Sequence, residues 1–247
     1  MRTGFLIAAL GAAMTLSACG GKGEGNVAAP TGEPIAAVPA PSGSSWSDMV
    51  AATPEGGFVM GNPDAKLKLI EYASFTCSHC REFAETAEEP LRTKYVDTGK
   101  VSYEFRHFVR DPLDITASLI ARCGGKDPFF PLVQQMFGNQ DAMFKQVQGV
   151  GEKAYQDAMS LPPQQRFIRL GEMAGLIDFA KARGIPEAQA RTCLADFKQA
   201  EALAAGNEAG TKQYDITGTP TLILNGKKLD NANAWPQLDA ALKAAGA

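Results

Sequence analysis

Phe75-Thr76-Cys77-Ser78-His79-Cys80 decides how the rest of the chain is read. An apolar run at 67–72 leads into this stretch and a helix-like pattern leads away from it, so the two thiols stand where a strand gives way to a helix. Cysteines three positions apart at a helix start approach closely enough for a disulfide. The first of them also lies against unpaired backbone N–H groups, which lower a thiol's pKa. Thiol–disulfide exchange, metal binding and a purely structural disulfide all use such a pair. The strand–helix setting favours the first.

Outward from the pair, Asn62-Pro63-Asp64 marks a turn ahead of the strand at 67–72, which alternates at first and is then continuously apolar. On the other side Phe83, Ala87, Leu91 and Tyr95 recur every four positions along one helical face. Pro90 falls inside that pattern and predicts a kink or a division. Gly99 ends the helix and 101–107 alternates as the next strand, so the order predicts a parallel pair with a right-handed crossover. From Asp111 the strand signal stops for roughly 80 residues. Ile115, Leu119 and Cys123 share a helical face, and further helix patterns run over 128–137, 142–159 and 164–182. Another begins near Pro186, with Ala190, Cys193, Leu194 and Phe197 toward one side. Strand character resumes at 221–224, Asn225-Gly226 is a hairpin turn, and Trp235, Leu238, Ala241 and Leu242 belong to a closing amphipathic helix. The class is α/β, with an all-helical subdomain inserted in the frame.

The chain opens with Arg2 and an apolar stretch at 4–16, too short for a comfortable membrane span and of the form of a secretory signal. Leu16-Ser17-Ala18-Cys19 then resembles the lipobox of bacterial lipoproteins. That resemblance implies a signal peptide at 1–18, removed by signal peptidase II, and a mature chain beginning at a diacylglyceryl-bearing Cys19. Ordinary cleavage nearby would instead leave Cys19 free or remove it. Residues 20–47 are dense in Gly, Pro, Ala and Ser without a hydrophobic period, so 19–54 reads as a lipidated N-terminus and flexible tether. Four cysteines remain, an even number in an exported chain, where disulfides persist. Cys123 and Cys193 sit on apolar helical faces near the two ends of the insert. They are either buried thiols or, in an oxidising compartment, a structural disulfide. A net charge of −3 without a basic cluster gives no reason to propose nucleic acid.

Three features together resemble the DsbA-like thiol–disulfide oxidoreductases of the thioredoxin superfamily, in the branch with a helical insertion. They are Glu71-Tyr72-Ala73-Ser74-Phe75-Thr76-Cys77-Ser78-His79-Cys80, the helical block, and Gly218-Thr219-Pro220-Thr221 ahead of the last strand. The resemblance covers residues 55–245 and implies a thioredoxin-like fold split into 55–110 and 197–247 around an insertion at 111–196. It implies that Cys77 is the exposed nucleophile and Cys80 the more buried resolving thiol. Thr219 and Pro220 would form the cis-proline loop that pairs with an extended substrate. Glu71 would be the buried acid that assists proton transfer near Cys80; on residue type alone it is a strand glutamate facing water. The Cys123 and Cys193 pair would be the branch's structural disulfide. The His79 imidazole would stabilise a Cys77 thiolate, whereas His107 reads as satisfied structure. Ser78 departs from the proline of the best-known oxidases, and this position tunes redox strength.

The implied function is an oxidase that donates the Cys77–Cys80 disulfide to reduced exported proteins. A quinone-linked membrane oxidase resembling DsbB would recharge it. A periplasmic isomerase or reductase uses the same residues in the other direction. A copper or zinc metallochaperone built on Cys77, Cys80 and His79, or a peptide-binding protein without turnover, are readings of a different class. The expected protein is a monomer without cofactor or resident metal, in the periplasm and lipid-anchored to the inner or outer membrane. Wild-type protein should therefore partition with membranes and C19A should not. Intact mass of the mature N-terminus is the direct check, and an unmodified chain beginning elsewhere would exclude lipidation at Cys19.

Overall fold

Strands rich in β-branched and aromatic residues form the centre of the molecule. In the computed structural model, which describes Met1 and residues 32–247, β1 (Val50–Ala52), β2 (Phe58–Gly61), β3 (Leu67–Ala73), β4 (Val101–His107), β5 (Thr221–Leu224) and β6 (Lys227–Lys228) make one sheet. Its order is β1-β2-β4-β3-β5-β6. As expected, β3 and β4 are parallel, with Glu71 opposite Phe105 and Ala73 opposite His107. Every other neighbouring pair is antiparallel. All seven residues of β4 are buried, so both faces of the central sheet are covered. Val101, Tyr103, Phe105 and His107 share one face, and Ser102, Glu104 and Arg106 share the other.

The helices are α1 (Ser78–Leu91), α2 (Pro112–Arg122), α3 (Phe129–Gly138), α4 (Gln140–Gly149), α5 (Glu152–Met159), α6 (Pro163–Met173), α7 (Leu176–Lys181), α8 (Glu187–Leu194), α9 (Phe197–Tyr214) and α10 (Trp235–Ala244). Pro90 does not divide α1, which continues to Leu91 and then widens into a π-helical turn at Arg92–Val96. Two of the expected long helices are each two. Gly151, at φ +81°, separates α4 from α5, and left-handed Gly175 separates α6 from α7. The insert and the frame share one core. Phe129 stacks 4.1 Å from Phe58 of β2, and Phe137 lies 4.9 Å from Phe75 beside the cysteine pair. On the other sheet face α9 approaches so closely that a Cβ on Gly210 would fall 2.7 Å from the Tyr72 ring.

The expected tether is corrected in its second half. Gly32 N donates to Ala244 O at 2.9 Å, Ile35 N to Gly246 O at 2.7 Å and Val38 N to Thr98 O at 2.9 Å. Trp46 is buried and donates its indole N–H to the Val38 carbonyl. The segment then continues into β1, so the folded body begins by Gly32. Isolated apolar anchors and backbone hydrogen bonds hold it there, and neither produces a periodic pattern. The signal at 1–18, Cys19 and the first part of the tether lie outside the described residues. Among those described, no helix is long and apolar enough to cross a membrane.

Cys123, at the C-terminal end of α2, is bonded to Cys193 of α8. The bond closes a loop of 70 residues, for which the chain-entropy treatment gives about 4 kcal/mol. The double replacement C123A/C193A should lower the urea midpoint by a corresponding amount while leaving Cys77 and Cys80 able to form a disulfide. A midpoint within error of wild type would show that the bond contributes nothing to stability.

Candidate redox site

Cys77 immediately precedes α1 and keeps an extended backbone, φ −97° and ψ 121°, so the helix begins at the next residue. The turn from β3 into α1 is closed by a hydrogen bond from Cys77 N to Ser74 O at 3.2 Å. One helical turn on, Cys80 is fully buried under α1, and its sulfur accepts the Ser74 N–H at 3.5 Å. Cys77 is 5% exposed, less open than the sequence implied, and Thr219 lies against it. There the Thr219–Pro220 bond is cis, and the Cys77 Sγ sits 3.3 Å from the Thr219 carbonyl oxygen. Both thiols are free.

These surroundings separate the two sulfurs. A hydrogen bond from the Cys80 thiol lowers the Cys77 pKa to about 4, against opposition from partial burial. The Thr219 side chain and the backbone N–H groups of Cys80 and His79 lower it further. Burial pushes Cys80 far above the ordinary thiol range, and its bond to Cys77 and the charge of Glu71 act in the same direction. Glu71 is buried on β3, under the pair. Its Oε2 accepts the Tyr103 hydroxyl and its Oε1 has no partner. Burial raises this carboxyl to about 7 despite the Tyr103 bond.

His79 is placed differently from expectation. Its side chain is 74% exposed, with Nδ1 3.8 Å from the Glu82 carboxylate. The support it gives Cys77 comes through its backbone N–H. Among the described residues no group of three or more His, Cys, Asp or Glu side chains is arranged to hold a metal ion. His107 is not satisfied structure. It is buried among Phe75, Phe105 and Phe129, neither ring nitrogen has a hydrogen-bond partner, and burial drives its pKa well below the usual range.

Three residues of the insert that carry no motif hold the turn at 74–77. Asp111 Oδ2 accepts the Thr76 hydroxyl at 2.9 Å. Asp114, fully buried, accepts Ser74 Oγ–H at 2.5 Å and Phe75 N–H at 2.8 Å. Buried Gln140, at the start of α4, donates its side-chain amide to the carbonyls of Phe75 at 2.7 Å and Cys77 at 3.0 Å. A cavity of about 460 Å³ opens along α1, lined by His79, Glu82, Phe83, Thr86 and the 233–236 segment. It lies near a second hollow formed by the 217–222 and 228–233 loops. The arrangement can form and break a disulfide between Cys77 and Cys80.

A family model described as Thioredoxin matches residues 53–244. A Rickettsia bellii protein provisionally named a protein-disulfide oxidoreductase is 32% identical over 177 residues, covering 72% of this chain and 60% of its own length. This chain spans only 56–60% of the length of the rickettsial relatives it matches. The crystal structure of a protein-disulfide isomerase from Novosphingobium aromaticivorans superposes with a TM-score of 0.72 at 31% identity, covering 76% of this chain and 96% of that one. Wolbachia pipientis α-DsbA1, at 22% identity and a TM-score of 0.57 over 75% of this chain and 92% of its own, shares the fold. The fold is thus the DsbA type, a thioredoxin sheet with a helical insertion.

The Glu71 environment has a consequence for pH. The folded chain keeps this proton to about pH 7, whereas an unfolded chain releases it near 4.5. The folded state binds more protons across that window, so its stability declines as pH rises through it. Glu71→Gln should remove a decline on the order of 3 kcal/mol, measured by urea unfolding at stepped pH with Cys77 and Cys80 reduced. Asp114, also raised to about 7 by burial, leaves a slope in both proteins. Parallel curves for wild type and variant would place the Glu71 pKa in the ordinary carboxylate range.

Proposed function

The chain belongs to the thioredoxin family, and from that premise we propose that it is a thiol–disulfide oxidoreductase that donates the Cys77–Cys80 disulfide to reduced exported proteins. The observation that carries the direction is the divergence of the two sulfurs, with Cys77 lowered to about 4 and Cys80 raised. A stabilised Cys77 thiolate favours the reduced protein, and that makes the disulfide a stronger oxidant.

In this reading a substrate thiolate attacks Cys77 Sγ. The Cys77–substrate bond forms as the Cys77–Cys80 bond breaks, and Cys80 leaves as a thiolate. Because burial opposes an anion there, Cys80 takes a proton, and Glu71, with its carboxyl near 7, is the group that supplies it. A second substrate thiolate then attacks the substrate sulfur. The substrate leaves with a disulfide, Cys77 leaves as the thiolate, and the two electrons remain on the Cys77 and Cys80 pair. The Thr219 backbone orients the substrate in the hollow beside Pro220. Oxidised protein is restored by a quinone-linked membrane oxidase of the DsbB kind. The setting is the periplasm, with Cys19 as the lipid anchor and the domain acting as a monomer.

One observation favours a second reading, an isomerase or reductase: the Novosphingobium relative is named a protein-disulfide isomerase. Equilibrium of the Cys77–Cys80 couple against a glutathione buffer separates the two. The expected potential lies well to the oxidising side of thioredoxin's, which is about −270 mV; a value near thioredoxin's would assign the opposite direction. C77A should abolish exchange, whereas C80A should still attack a disulfide at Cys77 and accumulate mixed disulfides. A C77A protein that exchanges at the wild-type rate would remove Cys77 from the mechanism.

A further inference from the structure

Two successive hydrogen-bonded contacts link the helical insert to the resolving sulfur. Cys80 Sγ lies 3.5 Å from the Ser74 backbone nitrogen, which donates to it. Ser74 itself is held by its side chain, which donates to Asp114 Oδ2 at 2.5 Å and accepts the Thr76 N–H at 3.2 Å. Asp114 belongs to the first turn of α2 and is fully buried. Its carboxylate also accepts the N–H groups of Phe75 at 2.8 Å and Arg110 at 2.9 Å. Its own backbone N–H is bound to Asp111 Oδ1 at 2.9 Å, so the carboxylate is anchored as well as bonded. A buried carboxylate with three donors makes short, directional bonds and costs a great deal to leave unpartnered. Such a group at a strand–helix turn holds backbone direction more firmly than packing alone.

We propose that Asp114 is a positioning residue for the resolving step, holding Ser74 so that its backbone N–H meets the sulfur of Cys80. The inference rests on the exchange reading above. In the resolving step Cys80 gives its proton to the Glu71 carboxylate and attacks, as a thiolate, the Cys77 sulfur of a mixed disulfide. The Cys77–Cys80 bond forms, the Cys77–substrate bond breaks, and the substrate departs as a thiolate that takes up a proton from water. Burial disfavours the Cys80 anion, and the Ser74 N–H is a hydrogen bond that stabilises it. The Cys77 sulfur is served by Thr219, Cys80 and the first N–H groups of α1, without Ser74. Loss of the link therefore acts on one of the two chemical steps.

The test uses the reduced full chain with oxidised glutathione as the probe, following by acid quench the formation of the Cys77–glutathione mixed disulfide and then its loss. Ser74→Ala keeps the backbone N–H but frees it from Asp114, and Asp114→Ala removes the anchor itself. Both should slow loss of the mixed disulfide about tenfold, the equivalent of one hydrogen bond, with formation changed less than about twofold. Combining them should slow it no further than either alone. Resolution at the wild-type rate in folded S74A, or equal slowing of both steps, would overturn the proposal. S74A decides the matter if D114A does not fold. Failure of the exchange reading would look different, since the wild-type chain would then form no mixed disulfide.

Discussion

Burial of the Cys80 thiol in the first turn of α1, together with the hydrogen bond it gives Cys77, makes two identical side chains chemically opposite. This requires the Cys80 side chain to point away from water and Cys77 to sit just ahead of the helix where backbone N–H groups converge. The parallel β3–β4 pair provides the floor for α1, and the Thr219 loop provides the wall against which Cys77 rests. Glu71 occupies the floor because its neighbour across the sheet face, Tyr103, satisfies one carboxyl oxygen and leaves the other free. A proton-carrying group is thereby stored in a place that water does not freely reach.

The helical insert belongs to this arrangement as much as the sheet does. α2 reaches the turn through Asp111 and Asp114, and α4 reaches it through Gln140. Phe137 of α3 packs on Phe75 in the same turn. The two ends of the insert are tied by the Cys123–Cys193 bond, so α2 is fixed at its far end by a covalent link and at its near end by the redox turn. His107, enclosed by aromatic rings and uncharged, completes an apolar wall between them.

What could be read in the sequence was what has a short-range signature. Cys77 and Cys80 stand at a strand–helix junction, β3, β4 and β5 show apolar runs, and Asn225-Gly226 announces a turn that the structure places between β5 and β6. Glu71, Thr219 and Pro220 were legible only through family resemblance. Asp114 and Gln140 had no signature, because a buried polar side chain in a helix looks like a surface residue until its partner in another element is known. β1 and β2 escaped because a chain rich in Gly, Pro and Ala hid them, and because β2 joins the sheet through β4, more than forty residues away, while β1 pairs only with β2. The helix α9 escaped for a related reason: its small residues, including Gly210, exist to let it lie flat on Tyr72, and small residues carry little hydrophobic contrast. His79 misled because its position was right and its direction was not; the side chain leaves the site while its peptide group stays.

The segment at 32–38 joins the body beside the C-terminal end of α10 and the residues after α1, the pole opposite the cysteines. Cys77 and Thr98 are separated by α1 and its π-helical continuation, about 30 Å of helix. The chain therefore enters the folded body about one helix length from Cys77, which leaves the face around the reactive sulfur clear of the entry point.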